Sequence, residues 1–375
     1  MGSPPSSWFA NYQSHPLVVP QADLVNALII GSFLLVVLAT LKRKQPGSLL
    51  GKDATDQAKG ISIFFIMLGH VWVHVVGSST LSLGEEGVFV FLFLSGFGLT
   101  VSGAAAPPPA PGAFLNRRLK RVMIPYWMAT LVILLGDWLI LNRTTPWPSL
   151  VATLVGFNRA EELKHLDYVR WYISFLLFWY GLYALTLRCL PRAKRVPVLL
   201  GGALLGFVVE YYWADMGWYQ FLAFPLGCGL GEVRARVEPW LTGVRKHLLW
   251  LGLALLLTTG FFRIFLEPVL AARIPSILAK GFREGESLVF CLALLLVVGW
   301  LSSNGLRSGF LLLCGKYAYE LFLLHGALLI KYNPFFVSSE VALLPCLFWA
   351  LILALFLLSF GMQRAVARIG VVWPG

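Results

Sequence analysis

Eleven windows of about twenty mostly apolar residues recur along the 375-residue chain. They fall at roughly 22–41, 58–77, 85–101, 123–141, 170–190, 196–213, 216–231, 248–267, 286–303, 309–330 and 341–361. A stretch of that length crosses a hydrocarbon layer about 30 Å thick as a helix. In lipid only helices and closed barrels satisfy their own backbone hydrogen bonds, and continuous apolar windows select the helix. The windows predict an all-α fold, a polytopic membrane helix bundle of about 11 transmembrane helices forming a single integral membrane domain. No internal repeat and no soluble domain stand out. The seventh window holds Pro225 and several glycines, so a break or kink is expected there. Composition agrees: 58% of residues are hydrophobic, 13% are charged and the mean hydropathy is +0.75. A soluble domain carries about 25% charged residues.

The formal net charge of +12 would suit a nucleic-acid partner in a soluble chain. Here its placement gives a simpler cause. The basic runs Lys42–Lys44, Arg117–Arg121, Arg192–Arg195 and Arg234–Lys246 follow the first, third, fifth and seventh windows. Cytoplasmic loops of membrane proteins concentrate Lys and Arg. The alternation places the N-terminus outside and the C-terminus in the cytoplasm, with the plasma (inner) membrane as the expected location. The longer outer loops are expected near 142–169 and 268–285, and "AAAPPPAPG" (Ala104–Gly112) as a stiff cytoplasmic linker. The first residues are polar and Pro-rich, and no cleavable leader is evident. Five cysteines stand singly, which indicates small apolar fillers, no disulfide framework and no metal site.

Ionisable residues within the windows are the candidates for chemistry, since charge in lipid is costly. "TDQAKGISIFFIMLGHVWVHVV" (Thr55–Val76) enters from the cytoplasm with Lys59. His70 follows roughly 16 Å further along a helix, past the midplane, and His74 lies one turn beyond on the same face. A neutral buried imidazole is suited to take a proton from a hydroxyl; it is equally suited to packing by hydrogen bonds to a neighbouring helix. "GEEGVFVFLFLSGFGLTVSG" (Gly84–Gly103) brings Glu85 and Glu86 to the outer end of the next helix. Glu86 is either an orienting partner for His70 or His74, as in a triad, or solvated at the interface. The glycines of "SGFG" indicate close helix packing.

"FLNRRLKRVMIPYW" (Phe114–Trp127) sets Arg117, Arg118, Lys120 and Arg121 before a helix expected to begin near Pro125. The four cations serve as a topology signal with headgroup contact, or as a clamp for a polyphosphate such as a nucleotide-containing coenzyme. "KYAYELFLLHGALLIKY" (Lys316–Tyr332) places Glu320 and His325 in one window. His325 is expected at a depth comparable to His70, where both could line one cavity, while Glu320 could simply pair with a cation on another helix. Asp137, Arg170, Glu210, Asp215, Arg263 and Glu267 stand at window ends and read as mostly interfacial; Arg170 and Trp171, at the outer mouth, belong to an expected aromatic belt or could hold a sugar.

Together these segments resemble the acyltransferase-3 family of integral membrane acyltransferases. "DQAKGISIFFIMLGH" (Asp56–His70) is similar to the family's opening Asp-x-x-Arg-Gly-Ile motif and its apolar run to a His. "GVFVFLFLSGFGL" echoes its "FFFLSGF"-like helix. Arg118 and Arg121 before Pro125 and Tyr126 echo its Arg-x-x-Arg segment, and Tyr319 to His325 its late Tyr/His helix. The order holds across about 58–330. The resemblance implies a core of about ten helices over 58–375, preceded by a tail, an extra helix and a basic loop over 1–57. It implies transfer of an acyl group, often acetyl, from cytoplasmic acyl-CoA to a hydroxyl of an extracytoplasmic or membrane-associated glycan. His70 becomes the catalytic His, with Glu86 and His325 as candidate partners. Lys59, Arg117, Arg118, Lys120 and Arg121 become the donor-binding candidates, with acyl-CoA a co-substrate and no permanently bound cofactor. Lys59 stands where the family usually has Arg, and Leu176 and Leu177 where many members carry Glu, which suggests a different acceptor.

Two other classes compete. Intramembrane His and Glu with a broken helix also suit a proton-coupled exporter of a polar solute. The lack of a pseudo-repeat and the concentration of charge in one cytoplasmic segment count against it. A non-catalytic membrane scaffold is the third reading; the presence of both His70 and the Arg118/Arg121 pair counts against that one.

Overall fold

The computed structural model describes residues 17–76, 83–104, 110–158, 166–214, 219–332 and 340–369. Helices dominate. In chain order they are α1 (Ala22–Ala39), α2 (Lys52–His70), α3 (Gly84–Ala104), α4 (Pro111–Leu139), α5 (Trp147–Leu154), α6 (Trp171–Cys189) and α7 (Arg192–Val209). There follow α8 (Ala223–Gly243), α9 (Arg245–Phe261), α10 (Glu267–Ala271), α11 (Ser276–Ser303), α12 (Gly309–Lys316), α13 (Ala318–Ile330) and α14 (Leu344–Arg368). Among the described residues eight helical stretches are long and apolar enough to cross a membrane. The sixth and seventh windows are helical too, but α7 opens with Arg192, Lys194 and Arg195, and α8 carries Glu232, Arg234, Arg236 and Glu238. Large apolar side chains such as Leu35, Leu257 and Leu357 point out of the bundle. That is costly in water and neutral against lipid tails. This is a polytopic helical membrane protein.

Several expectations need correction. Helix α4 starts at Pro111 and runs through Pro125, so the four cations sit on its early turns and not in a loop before it. Proline is favoured at a helix's first turn, and Pro111 occupies that position here. Pro125 is accommodated inside a helix whose neighbours pack around it. The tenth window is two helices, α12 and α13, broken at Tyr317. The stretch expected as a loop near 268–285 is largely helical, in α10 and the start of α11. Helix α8 runs unbroken, with Pro225 in its first turn. Ala105–Pro109 of the Pro-rich run and residues 159–165 of the outer mixed-charge stretch lie outside the described residues.

One feature was unforeseen. Strands β1 (Leu41–Arg43) and β2 (Leu306–Ser308) pair antiparallel, Leu41 opposite Ser308. They tie the α1–α2 connection to the α11–α12 connection. Gln57 locks the junction, accepting from Ser308 N at 2.9 Å and donating to Ser302 Oγ at 3.2 Å.

Helices α2 and α3 form an antiparallel hairpin: Gly84 lies against Gly69 and Phe65, and Gly87 against Ser62 and Ile66. Helix α3 in turn packs on α8 so closely that a Cβ on Gly96 would sit 2.2 Å from Phe224 O. The "SGFG" glycines therefore divide by role, because Gly98 has open space around it. Adding a methyl to a filled crossing costs about 1–3 kcal/mol. Alanine on an open helix position gains about 0.5–1 kcal/mol over glycine. Gly96→Ala is expected to lower the melting temperature in detergent by several degrees, and Gly98→Ala to leave it level or raise it. Fluorescence-detected size exclusion after a heat ramp checks both.

Candidate active site

The site forms where α2 ends. After His70 the backbone widens into a π-helical turn, Val71–Val76, a feature frequent at functional positions. His74 sits within this turn, and the His70 and His74 rings lie 5.8 Å apart. His325, fully buried on α13, meets the same point. His70 Nδ1 and His325 Nε2 are 2.6 Å apart, with the rings nearly parallel at 9°.

The hydrogen-bond network assigns the protons. His325 Nδ1 lies 2.8 Å from Phe322 O and 3.1 Å from Leu321 O. Carbonyls only accept, so His325 Nδ1 carries the hydrogen and neutral His325 accepts at Nε2. His70 Nδ1 must then donate, which leaves the lone pair on His70 Nε2. The pairing thus fixes which nitrogen of His70 is basic.

Tyr168 completes the cluster, its ring 4.7 Å from that of His70 and 3.9 Å from that of His74. It opens a single 3₁₀ turn, Tyr168–Arg170, that leads into α6. Asp167 and Arg170 flank it as a buried ion pair, Arg170 Nε to Asp167 Oδ2 at 2.9 Å. Arg170 Nη1 donates to Thr130 Oγ1 at 2.6 Å, and its guanidinium lies 4.9 Å over the Tyr126 ring. Sequence reasoning put Arg170 at the outer mouth as an interfacial residue; at 1% exposure it is instead a structural centre. A carboxylate three residues before an arginine, at the very start of an apolar window, was the available signal. Asp137, also read as interfacial, is buried and paired with Lys331 Nζ at 2.7 Å and Tyr332 Oη at 2.5 Å.

Glu86 is corrected as well. It is neither solvated nor bonded to a histidine among the described residues. Fully buried, its Oε1 lies 3.0 Å from Arg263 Nη1. Arg263 also faces Glu267 at 3.3 Å, Glu286 at 3.5 Å and Glu85 at 3.9 Å. It stands in a second π-helical turn, Phe262–Leu266.

The opposite end of the bundle carries the cations of α4. Arg118 is part-buried, 5.8 Å from the Phe114 ring and within electrostatic range of Tyr180 and Tyr183. Arg117, Lys120 and Arg121 are exposed, and Arg121 acts on Tyr180 and on buried Glu320. Glu320 accepts from Gln363 Nε2 at 3.4 Å. Lys59 pairs with Asp56 at 3.0 Å, and Lys52 reaches the other oxygen of that carboxylate. A chain of contacts leads inward from Arg118. The hydroxyls of Tyr180 and Tyr172 approach Ser95, the Tyr172 ring lies 4.8 Å from Phe322, and Phe322 lies 5.5 Å from His325. All five cysteines are free, with Cys228, Cys291 and Cys314 buried.

A helical membrane bundle with a hydrogen-bonded histidine pair beside its polar interior has the make-up of a membrane-embedded enzyme. The chain belongs to the acyltransferase-3 family, whose model, an acyltransferase domain, matches residues 53–364. It is an integral membrane O-acyltransferase, which sets aside the exporter and scaffold readings. The chain is also similar to the exopolysaccharide production protein ExoZ of Rhizobium meliloti (strain 1021), with 30% identity over 263 residues, 65% of this chain and 76% of that protein. No solved structure matches.

Removing one partner of a buried ion pair costs about 3–5 kcal/mol, because the other charge stays behind unpaired. Arg263→Met is therefore expected to lower the melting temperature sharply, and adding Glu86→Gln to restore part of the loss. Thermal unfolding in detergent checks this. A Glu86→Gln change that left stability intact but removed activity would return Glu86 to the chemistry.

Proposed function

We propose that the protein moves an acyl group, acetyl in the simplest case, from acyl-CoA to a hydroxyl of a carbohydrate, with His70 as general base. The observation that carries this reading is the His70–His325 hydrogen bond, because it leaves a lone pair on His70 Nε2. The family supplies the reaction class, and the likeness to an exopolysaccharide production protein supports a glycan acceptor.

In the proposed step His70 Nε2 takes the proton of the acceptor hydroxyl as its oxygen attacks the thioester carbonyl. The tetrahedral intermediate then collapses. The carbon–sulfur bond breaks, the coenzyme leaves as thiolate, and the proton on His70 passes to the sulfur. His325 holds the His70 ring in register and accepts from Nδ1 throughout. The role resembles that of the orienting group in a catalytic triad. Arg118 and Arg121, assisted by Arg117, Lys120 and Lys59, bind the phosphates of the donor. The Tyr180–Ser95–Tyr172–Phe322 contacts mark the path of its acyl arm toward His325. Under the positive-inside rule the arginine end faces the cytoplasm and the histidine end the outside.

Radiolabelled acetyl-CoA supplied to membranes tests the chemistry. General base catalysis contributes about 10²–10⁴-fold. His70→Ala is expected to reduce label in the glycan fraction by at least a hundredfold at matched expression. His325→Ala should lower kcat with little change in either KM. Arg118→Ala/Arg121→Ala should mainly raise the apparent KM for acetyl-CoA. Undiminished transfer by His70→Ala would sink the mechanism. For orientation, alkaline phosphatase fused after Gly156 is expected to be active and after Arg368 inactive; the reverse pattern would invert the assignment.

A further inference from the structure

Three polar atoms beside the histidine pair are buried yet bonded to nothing. Asp167 Oδ1, Tyr168 Oη and Arg170 Nη2 make no hydrogen bond among the described residues. Asp167 and Arg170 are 4% and 1% exposed, so water outside the protein does not serve them. Buried polar groups are as a rule hydrogen-bonded, so three unpaired atoms within four residues call for a partner.

Position separates these atoms from other unpaired ones. Glu86 and Glu286 also leave carboxylate oxygens without hydrogen bonds, but their charge faces Arg263, away from the histidines. The Tyr168 ring, by contrast, touches both His70 and His74. Asp167 Oδ1 lies 3.4 Å from where a Cβ would stand on Gly326, the residue after His325. Gly326 thus packs close beside the carboxylate and the Val169 methyls. The rest of each side chain is fixed: Asp167 Oδ2 and Arg170 Nε bond each other, Arg170 Nη1 bonds Thr130, and the guanidinium rests on Tyr126. The free atoms are held by rigid partners, as a preorganised binding site requires.

We propose that Asp167, Tyr168 and Arg170 form the acceptor subsite and bind the hydroxyls neighbouring the one that is acylated. The chemistry names the ligand class. The free carboxylate oxygen only accepts, the free guanidinium nitrogen only donates, and the phenol does either. Asp167 and Arg170 cancel in charge, so the subsite favours neither an anion nor a cation. A ligand that serves all three must be neutral and carry several adjacent groups that both donate and accept. A polyol such as a pyranose does this, and a simple alcohol does not. Failure to fill such a site is penalised steeply, which is how enzymes reject analogues lacking a hydroxyl.

This inference rests on the acyl-transfer reading, and one experiment separates the two. The purified protein in nanodiscs receives radiolabelled acetyl-CoA and oligosaccharides prepared by alkaline de-esterification of its host's surface polysaccharide. Tyr168→Phe is the informative variant, because its hydroxyl holds nothing in the protein fold and its loss leaves every described contact intact. The expected result is a three- to ten-fold rise in the oligosaccharide KM, the worth of one neutral hydrogen bond of about 0.5–1.5 kcal/mol. The acetyl-CoA KM should not move. Asp167→Asn, which keeps an oxygen for Arg170, should raise the oligosaccharide KM by roughly ten- to a hundredfold, the worth of a charged hydrogen bond. Wild-type transfer with an unchanged oligosaccharide KM in Tyr168→Phe would overturn the subsite and leave these atoms a water-filled structural role. Absence of wild-type transfer to these oligosaccharides would overturn the proposed acetyl transfer to a glycan.

Discussion

The hydrogen bond from His70 to His325 joins residues 255 positions apart, and much of the bundle's interior is arranged around it. An imidazole inside a membrane has two nitrogens to satisfy and no surrounding water to satisfy them. Helix α13 solves half of this locally, since His325 Nδ1 bonds carbonyls one turn back in its own helix. That local bond forces the tautomer of His325, which in turn forces the tautomer of His70. The basic nitrogen of the site is therefore set by the ordinary carbonyls of Leu321 and Phe322. The break at Tyr317 also matters, because it lets the short helix α13 rise beside α2 independently of α12, which is seated against Asp56 and Gly60.

What the sequence made legible follows from what lipid demands. Continuous apolar windows are unavoidable in spanning helices, so the positions of most helices were readable, although eight described stretches rather than eleven are long and apolar enough to span. Features that depend on a few residues were not. Strands β1 and β2 pair over three residues each, too short for any alternation to show. The start of α4 was misplaced because Pro125 imitates a helix start while four cations obscure the turns before it. The two halves of the tenth window looked like one span, since averaging over twenty residues hides a polar interruption at Gly315–Lys316.

The candidate site divides in the same way. His70 and His325 were readable because an ionisable group in an apolar run stands out against its background. Their contact was not readable, since it depends on which helices become neighbours. The buried pairing of Arg170 with Asp167 was missed for the opposite reason. They stand at the edge of a window, where charges are expected, and the three-residue spacing of Asp167 and Arg170 was the one local sign of their pairing. Glu86 shows the same limit: its partner Arg263 comes from the end of a distant helix, and either residue alone reads as a surface charge.

Two of the buried charge clusters among the described residues, around Arg263 and at Asp167–Arg170, show by comparison what makes a site. Around Arg263 four carboxylates converge on one guanidinium that is itself partly exposed, and Arg283 neutralises Glu267 further out. The charges there answer one another, and the cluster clamps α3, α9 and α11. At Asp167 and Arg170 the pairing is one to one, tighter and drier, yet each partner keeps one atom out of it. Unpaired atoms occur in both places, so their number does not separate structure from function. Adjacency does: only the second cluster presses an aromatic ring onto His70 and His74. A group bound at the proposed subsite would lie beside the ring of His70.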